Sequence, residues 1–527
     1  MATIYKETAA VELTEAPGAS SPTSAKAYEN SASNVPERYR GTSADKHDMD
    51  VLGKKQVLRR NFSFVTMLGF ASTYLGFVLT NGGTALLFWG FIACALGQAL
   101  VYASIAEMAS MSPTAGGQYH WVSEFAPPRM QKLLSYLSGW LTAIGWQVYC
   151  ASVCFLVGTI VQGLIALNTP DYVWQNWHGT LLSIAVVVFS IFFNTVLASR
   201  LPLLEGTVLI LHVLGFFAII IPLWVMAPRA KADVVLLEFT NNGGWPTVGL
   251  SSMVGLLAPM AVLVGYDCSV HMSEEIKDAS ITLPRAIMGS VVINATLAFL
   301  MSVTLIFTLG DLDSVLATVT GYPFIQVIYN ATQSYAGTNV MVAIVIVMLT
   351  ACAISEVAAA SRQIWSFARD RGLPFSSWLS EVTPGWNIPL PAVCVSLTIS
   401  ALLSLINIGS SVALNAITSL GAIAVLISYF LTISCVVYRR IQGPALPPRR
   451  WSLGKFGLYI NVAALLFLTP LIFFLTWPLV TPVTASTMNW SSVMLVGTLI
   501  IAMVYYVVKG RHEYVGPVAY VKRDHEL

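Results

Sequence analysis

The chain has 527 residues, 56% hydrophobic and only 10% charged, with a mean hydropathy of +0.71. A soluble domain carries about 25% charged residues, so this composition excludes a soluble fold and describes one polytopic membrane domain. The formal net charge of +2 is too small to mark a nucleic-acid partner.

Residues 1–60 are rich in Ala, Ser, Thr, Glu and Lys and contain neither an apolar core nor a cleavable signal, which predicts a disordered tail. Twelve apolar segments of spanning length follow, at about 62–80, 84–109, 133–166, 179–199, 203–227, 247–270, 286–310, 338–360, 388–408, 412–438, 457–479 and 490–509. They define a membrane domain over 61–509 and a second tail over 510–527. An even number of spans puts both termini on one side. Of the 28 Lys and Arg residues, only Arg229 and Lys231 fall in the odd-numbered loops, so the positive-inside rule makes the termini cytoplasmic.

The seven cysteines lie in or beside apolar segments, with neither a disulfide framework nor zinc spacing. Two sequons, at Asn330 and Asn489, fall in predicted outer loops, where Trp174, Trp177, Trp245 and Trp477 read as interfacial belt residues.

The stretch from Gly255 to Ala286 departs from this regularity. Pro259 and Gly265 interrupt an apolar run, and Asp267, His271, Glu274 and Asp278 then follow at spacings that form one polar stripe if the segment is helical. Ionisable groups at membrane depth are costly and usually face a bundle interior or a water-filled path. Span 1 contains Gly69, Ser72, Thr73 and Gly76 at the matching place. Paired interruptions of spans 1 and 6 suggest an inverted repeat of spans 1–5 and 6–10 with a substrate site at its centre. A broken helix frees backbone N–H and C=O groups, which suit a zwitterion or an amine.

Individual residues leave alternatives open. Asp267 is placed to hold a cationic head group or to gain and lose a proton; otherwise it caps the second half-helix. His271 is a proton relay or, more commonly for such a residue, a hydrogen-bonded structural histidine. Glu274 and Glu275 lie near the cytoplasmic mouth, where ion pairs with Arg362 or Arg369 would gate it; ordinary interfacial solvation is the alternative. Glu107, at the end of span 2, belongs with them as a gating candidate of interfacial character. His212 in span 5 reads as a satisfied core histidine.

Three motifs, in order, carry a family resemblance. The first is Ala106-Glu107-Met108-Ala109 followed by Ser112-Pro113-Thr114-Ala115-Gly116-Gly117-Gln118-Tyr119. The second is Gly265-Tyr266-Asp267, then His271-Met272-Ser273-Glu274-Glu275, closing with Pro284-Arg285-Ala286. The third is Ser361-Arg362, then Phe367-Ala368-Arg369-Asp370-Arg371-Gly372-Leu373-Pro374, with Ile388-Pro389 opening the next span. Together they resemble the amino acid–polyamine–organocation permeases, and within them the fungal amino acid/choline branch that includes GABA-type permeases. The resemblance covers roughly Asn61 to Lys509.

It implies an all-α fold of twelve spans, two inverted five-helix repeats plus two helices, with helices 1 and 6 broken. It further implies alternating access driven by the proton gradient, without a cofactor or metal. Carried onto this chain, the substrate contacts are Ser72, Thr73 and Gly76 of span 1, and Ala261, Val262, Leu263, Val264, Gly265, Tyr266 and Asp267 of span 6. Ala261 stands where many relatives have an aromatic gate. Span 1 also lacks the Gly-Ser/Ala-Gly type motif of α-amino-acid carriers, and only 18 residue steps separate Phe64 from Gly82.

The expected function is therefore import of an amino acid or related amine such as GABA. Carriage of choline, another quaternary amine or a polyamine is the alternative, with Tyr74 and Tyr266 as candidates for an aromatic cage. A sensor that binds without transporting is a reading of another class. No catalytic cluster suggests an enzyme. The expected partners are a small-molecule substrate and the bilayer, with the plasma membrane as default location and the vacuolar membrane as alternative. Oligomeric state leaves no mark on the sequence.

Overall fold

The computed structural model describes residues 41–54, 58, 75–384, 386–409 and 413–521. In chain order the helices that matter here are α1 (Ser43–Val51), α2 (Leu75–Thr80), α3 (Gly83–Met111), α4 (Gln118–Phe125), α5 (Gln131–Asn168), α6 (Asn176–Thr195), α7 (Leu201–Met226), α8 (Val248–Gly255), α9 (Leu257–Val262), α10 (Cys268–His271), α11 (Ala279–Phe307), α12 (Pro323–Thr332), α13 (Tyr335–Arg369), α14 (Leu390–Ser404), α15 (Ala413–Gln442), α16 (Gly457–Phe474) and α17 (Ser491–Tyr505). Among the described residues the only β pairing is two isolated bridges. The fold is all-α, and among the described residues ten helices are long and apolar enough to cross a membrane.

Lipid offers no hydrogen bonds, so the apolar segments satisfy their own backbones as helices. The long α5 is the axis of the bundle: it packs against α4, α6, α13 and α15, while α3 packs against α11 and α16. Close approach needs small residues. At Gly158 of α5 a Cβ would lie 2.4 Å from the backbone nitrogen of Ser183 on α6. Leu214 and Val225 of α7, Leu466 of α16 and Val508 beyond α17 are exposed on the outside of the bundle, as suits a surface facing lipid.

Two predicted spans differ from the rest. Most of the first lies outside the described residues, Ser72, Thr73 and Tyr74 included; its described part is α2. The sixth is three short helices rather than one. Pro259 has no N–H to give the Gly255 carbonyl, and the helix stops there before restarting as α9. The chain is then non-helical from Leu263 to Asp267, with Gly265 at φ +103°, a conformation that glycine adopts without penalty.

The predicted polar stripe is corrected by the same feature. After α10 the chain turns through a 3₁₀ segment, Ser273–Glu275, and Asp278 sits at φ +53°. Asp267, His271, Glu274 and Asp278 therefore share no helical face, because each is drawn to a different tertiary partner.

Residues 43–51, read from composition as part of a disordered tail, form α1. A capping box explains its start: Thr42 Oγ1 accepts from the Asp45 N–H at 3.2 Å and Asp45 Oδ2 from the Thr42 N–H at 2.7 Å. Asp45 is buried and also accepts the N–H groups of Asp278 and Ala279, at 2.8 and 3.0 Å, which seats α1 on the first turn of α11.

The sequon at Asn489 is likewise structural. Its side chain is buried and donates to the Leu475 and Trp477 carbonyls at 3.1 and 3.2 Å, leaving no room for a glycan. The Trp245 and Trp477 rings meet at 5.3 Å nearby.

Candidate functional site

The non-helical segment lies at the centre of the bundle. Ala261, Val262, Leu263, Val264, Gly265, Tyr266 and Asp267 are all buried. The Gly265 N–H, freed by the interruption, donates to the hydroxyl of Tyr102 on α3 at 2.8 Å. Asp267 has no solvent exposure. One carboxylate oxygen accepts from Gln118 Nε2 on α4 at 2.5 Å and the other from the hydroxyl of Tyr429 on α15. Both donors are neutral, and Asp267 has no Lys or Arg partner among the described residues. Tyr102 meets two further tyrosine rings edge to face, centred 5.0 Å from Tyr266 and 5.8 Å from Tyr429. The result is a buried carboxyl group beside aromatic rings, an environment that suits an organic cation.

The site gathers residues from four separate segments. Span 6 alone was legible as its source; Tyr102, Gln118 and Tyr429 were not singled out. Tyr102 and Tyr429 sit in apolar runs where a tyrosine is unremarkable, and Gln118 belongs to the first motif. Tyr266 is in place. Gly76 stands apart from Asp267, on the wall of the vestibule described below.

Beyond the break lies the end of the bundle that carries most of the arginines. Glu275 takes Arg362 Nε at 2.7 Å, and Glu274 takes Arg369 through both guanidinium nitrogens at 2.6 and 3.0 Å. Arg369 also stacks over Trp365 at 4.3 Å. Neither glutamate is solvated in the interfacial manner: both are buried, and burial demands the partner. Glu107 is buried too, held by Arg440, by Arg449 at 2.9 Å and by the Leu453 N–H.

Lys54, ahead of the first span, reaches Asp370 at 3.6 Å and Thr114 at 3.3 Å. Burial pushes its ammonium below the ordinary lysine value while Asp370 pulls it back. His271 is a structural contact in this arrangement: its Nδ1 meets the Ala115 carbonyl at 3.0 Å and its ring packs on Trp146. His212, expected to be a satisfied core histidine, is buried, but its Nε2 has no hydrogen-bond partner among the described residues.

The helix α4 joins the two regions. Gln118 contacts Asp267, while the next residue, Tyr119, donates from its hydroxyl to Asp370 at 2.8 Å. The first motif therefore wires the central carboxylate to the plug of ion pairs.

At the opposite end a vestibule of about 380 Å³ opens between α2, α5, α6 and α12. Gly76, Phe77, Phe155, Thr159, Trp174 and Tyr322 are among its lining residues, with Phe155 and Leu156 contributed by α5.

An all-helical membrane bundle with an interrupted segment at its centre, a vestibule at one end and a salt-bridged plug at the other is the form of a membrane transporter. Comparison with known proteins gives its family. The amino acid permease family model matches residues 62–501. A choline transporter of Saccharomyces cerevisiae is 31% identical over 478 residues, 87% of this chain and 83% of its own. A Macrophomina phaseolina protein with the provisional name amino acid/polyamine transporter is 31% identical over 436 residues, 82% of this chain and 96% of its own. An amino-acid permease of Arabidopsis thaliana is 28% identical over 502 residues, 89% and 95% of the two chains. The chain belongs to the amino acid permease family, and is an integral membrane transporter for amino acids or related amines.

Proposed function

We propose that the protein imports an organic amine across the plasma membrane, driven by the proton gradient, and that Asp267 holds the amine's cationic head group. The observation that carries this reading is the setting of Asp267: buried, without a Lys or Arg partner among the described residues, and flanked by Tyr102, Tyr266 and Tyr429. A cationic head group would replace the Gln118 amide at the carboxylate and lie against the rings. This favours a choline-like quaternary amine over GABA, and the similarity to a choline transporter supports the same preference. An amino acid remains the second reading, because the non-helical backbone at Leu263 and Val264 suits a carboxylate.

Alternating access follows from the two ends. With the arginine-bearing end taken as cytoplasmic, as the positive-inside rule requires, the vestibule faces out and the ion pairs of Glu274, Glu275 and Glu107 close the inner side. Displacing Gln118 would disturb α4 and, through Tyr119, the Asp370–Lys54 contact. Substrate binding is thereby linked to loosening of the inner plug.

The test is uptake of labelled choline, GABA, polyamines and a panel of amino acids, at acidic and at neutral external pH, in yeast cells lacking their own permeases. Uptake of a cationic amine, faster at acidic pH and stopped by an uncoupler, supports the reading. Uptake of none, with the protein shown at the cell surface, would favour a sensor.

A further inference from the structure

A second buried carboxylate remains unexplained. Glu356 lies in the middle of α13, 3% exposed, within a run that is otherwise apolar or small from Met341 to Ala360. Its Oε1 receives only a thiol contact, from Cys352 Sγ at 3.7 Å, and its Oε2 has no hydrogen-bond partner. No Lys or Arg among the described residues pairs with it. The titratable groups that face it are thiols: Cys150 and Cys154 of α5, and Cys352 one turn back on its own helix. The other elements packed against α13 include α10, which carries Cys268 and His271 with Asp267 beside them, and α7, which carries His212.

An ionised carboxylate held this way, without a cation or a strong donor, is costly in a low-dielectric interior, whereas a neutral carboxylic acid is not. Its position gives the difference a use. Cys154, which interacts with Glu356, directly precedes Phe155 and Leu156, and these line the vestibule. The carbonyl of Ser355, next to Glu356 in the chain, meets Cys268 Sγ at 3.8 Å, and Cys268 directly follows Asp267.

We infer that Glu356 carries the coupling proton, leaving Asp267 to hold the substrate. This rests on the proton-coupled import proposed above and divides the labour within it. The carboxylate takes one proton from the vestibule side, is neutral while α13 and the interrupted segment rearrange, and returns the proton on the inner side. No bond other than O–H forms or breaks.

The full chain in proteoliposomes enclosing a pH-sensitive dye tests the inference, with an inward gradient of choline, GABA and amino acids together as the probe. The wild type should acidify the lumen. Glu356→Gln should exchange labelled probe at near wild-type rate, but lose acidification and show a flat pH profile; Glu356→Asp should retain both. In the folded wild type, a hydrophobic carbodiimide should modify Glu356, as read by mass spectrometry, and stop acidification in step with modification. Acidification by Glu356→Gln at the wild-type rate, or intact acidification with Glu356 fully modified, would overturn the inference and leave the import reading standing. Probe uptake without acidification by the wild type would overturn proton coupling itself, and this inference with it.

Discussion

The carboxylates at the arginine-bearing end and those in the middle of the bundle are equally buried but differently partnered. Glu107, Glu274, Glu275 and Asp370 each meet an arginine or a lysine. Asp267 meets a tyrosine and an amide, and Glu356 only a thiol. A buried ion pair holds two elements in one arrangement, because separating it strands a charge. A buried carboxylate with neutral partners has no such commitment, and can exchange them for a cation or a proton. On the function proposed above, the two regions divide closure from carriage.

The largest effect should come from stranding a charge at the closed end. Arg362→Ala leaves Glu275 buried and unpaired, a loss of about 3–5 kcal/mol. Hydrogen exchange should accelerate across Ser273–Glu275, and the charge-reversed pair Arg362→Glu with Glu275→Arg should slow it again. If the single variant exchanges like the wild type, the plug is not held by this pair.

Asp267→Asn comes next. Choline uptake should fall roughly 100-fold at unchanged surface expression, as expected for removing one partner of a buried charge contact. Unchanged uptake would end the assignment of Asp267 to the head group. Tyr429→Phe removes one neutral donor to the carboxylate and retains the ring; a rise of about tenfold in KM is expected, with kcat less affected.

The smallest effect belongs to Arg450, whose pair with Asp278 is half exposed. Arg450→Ala should leave transport within about twofold of wild type, since solvent screens such a pair. A large loss there would show that the contrast lies in position rather than burial.

Hydropathy made the membrane bundle legible, because a spanning helix must be apolar along its whole length, and Pro259 with Gly265 marked where the sixth segment would fail to stay helical. The pairing of Glu274 and Glu275 with Arg362 and Arg369 was also in reach, since few residues are charged. What remained hidden was the partner set of Asp267. Tyr102, Gln118 and Tyr429 converge from positions far apart in the chain, and no local pattern distinguishes a tyrosine facing a carboxylate from one packed in the core. Glu356 had a signal, a lone acid in an apolar run, but averaging over the helix erases it. The helix at Ser43–Val51 was invisible for the opposite reason: it is polar, and it is held by Asp45 on a distant helix start rather than by an apolar face.

Asp370 receives both ends of the chain: the Lys54 ammonium approaches its carboxylate, and the Val515 N–H donates to its carbonyl at 3.2 Å. The amino and carboxyl extensions are therefore stapled to one residue at the arginine-bearing mouth. Parting that mouth must release or strain both staples, so the separation of the two extensions follows the carrier's cycle. Energy transfer between dyes attached to them would give an optical clock of turnover, read without touching the path of the cargo.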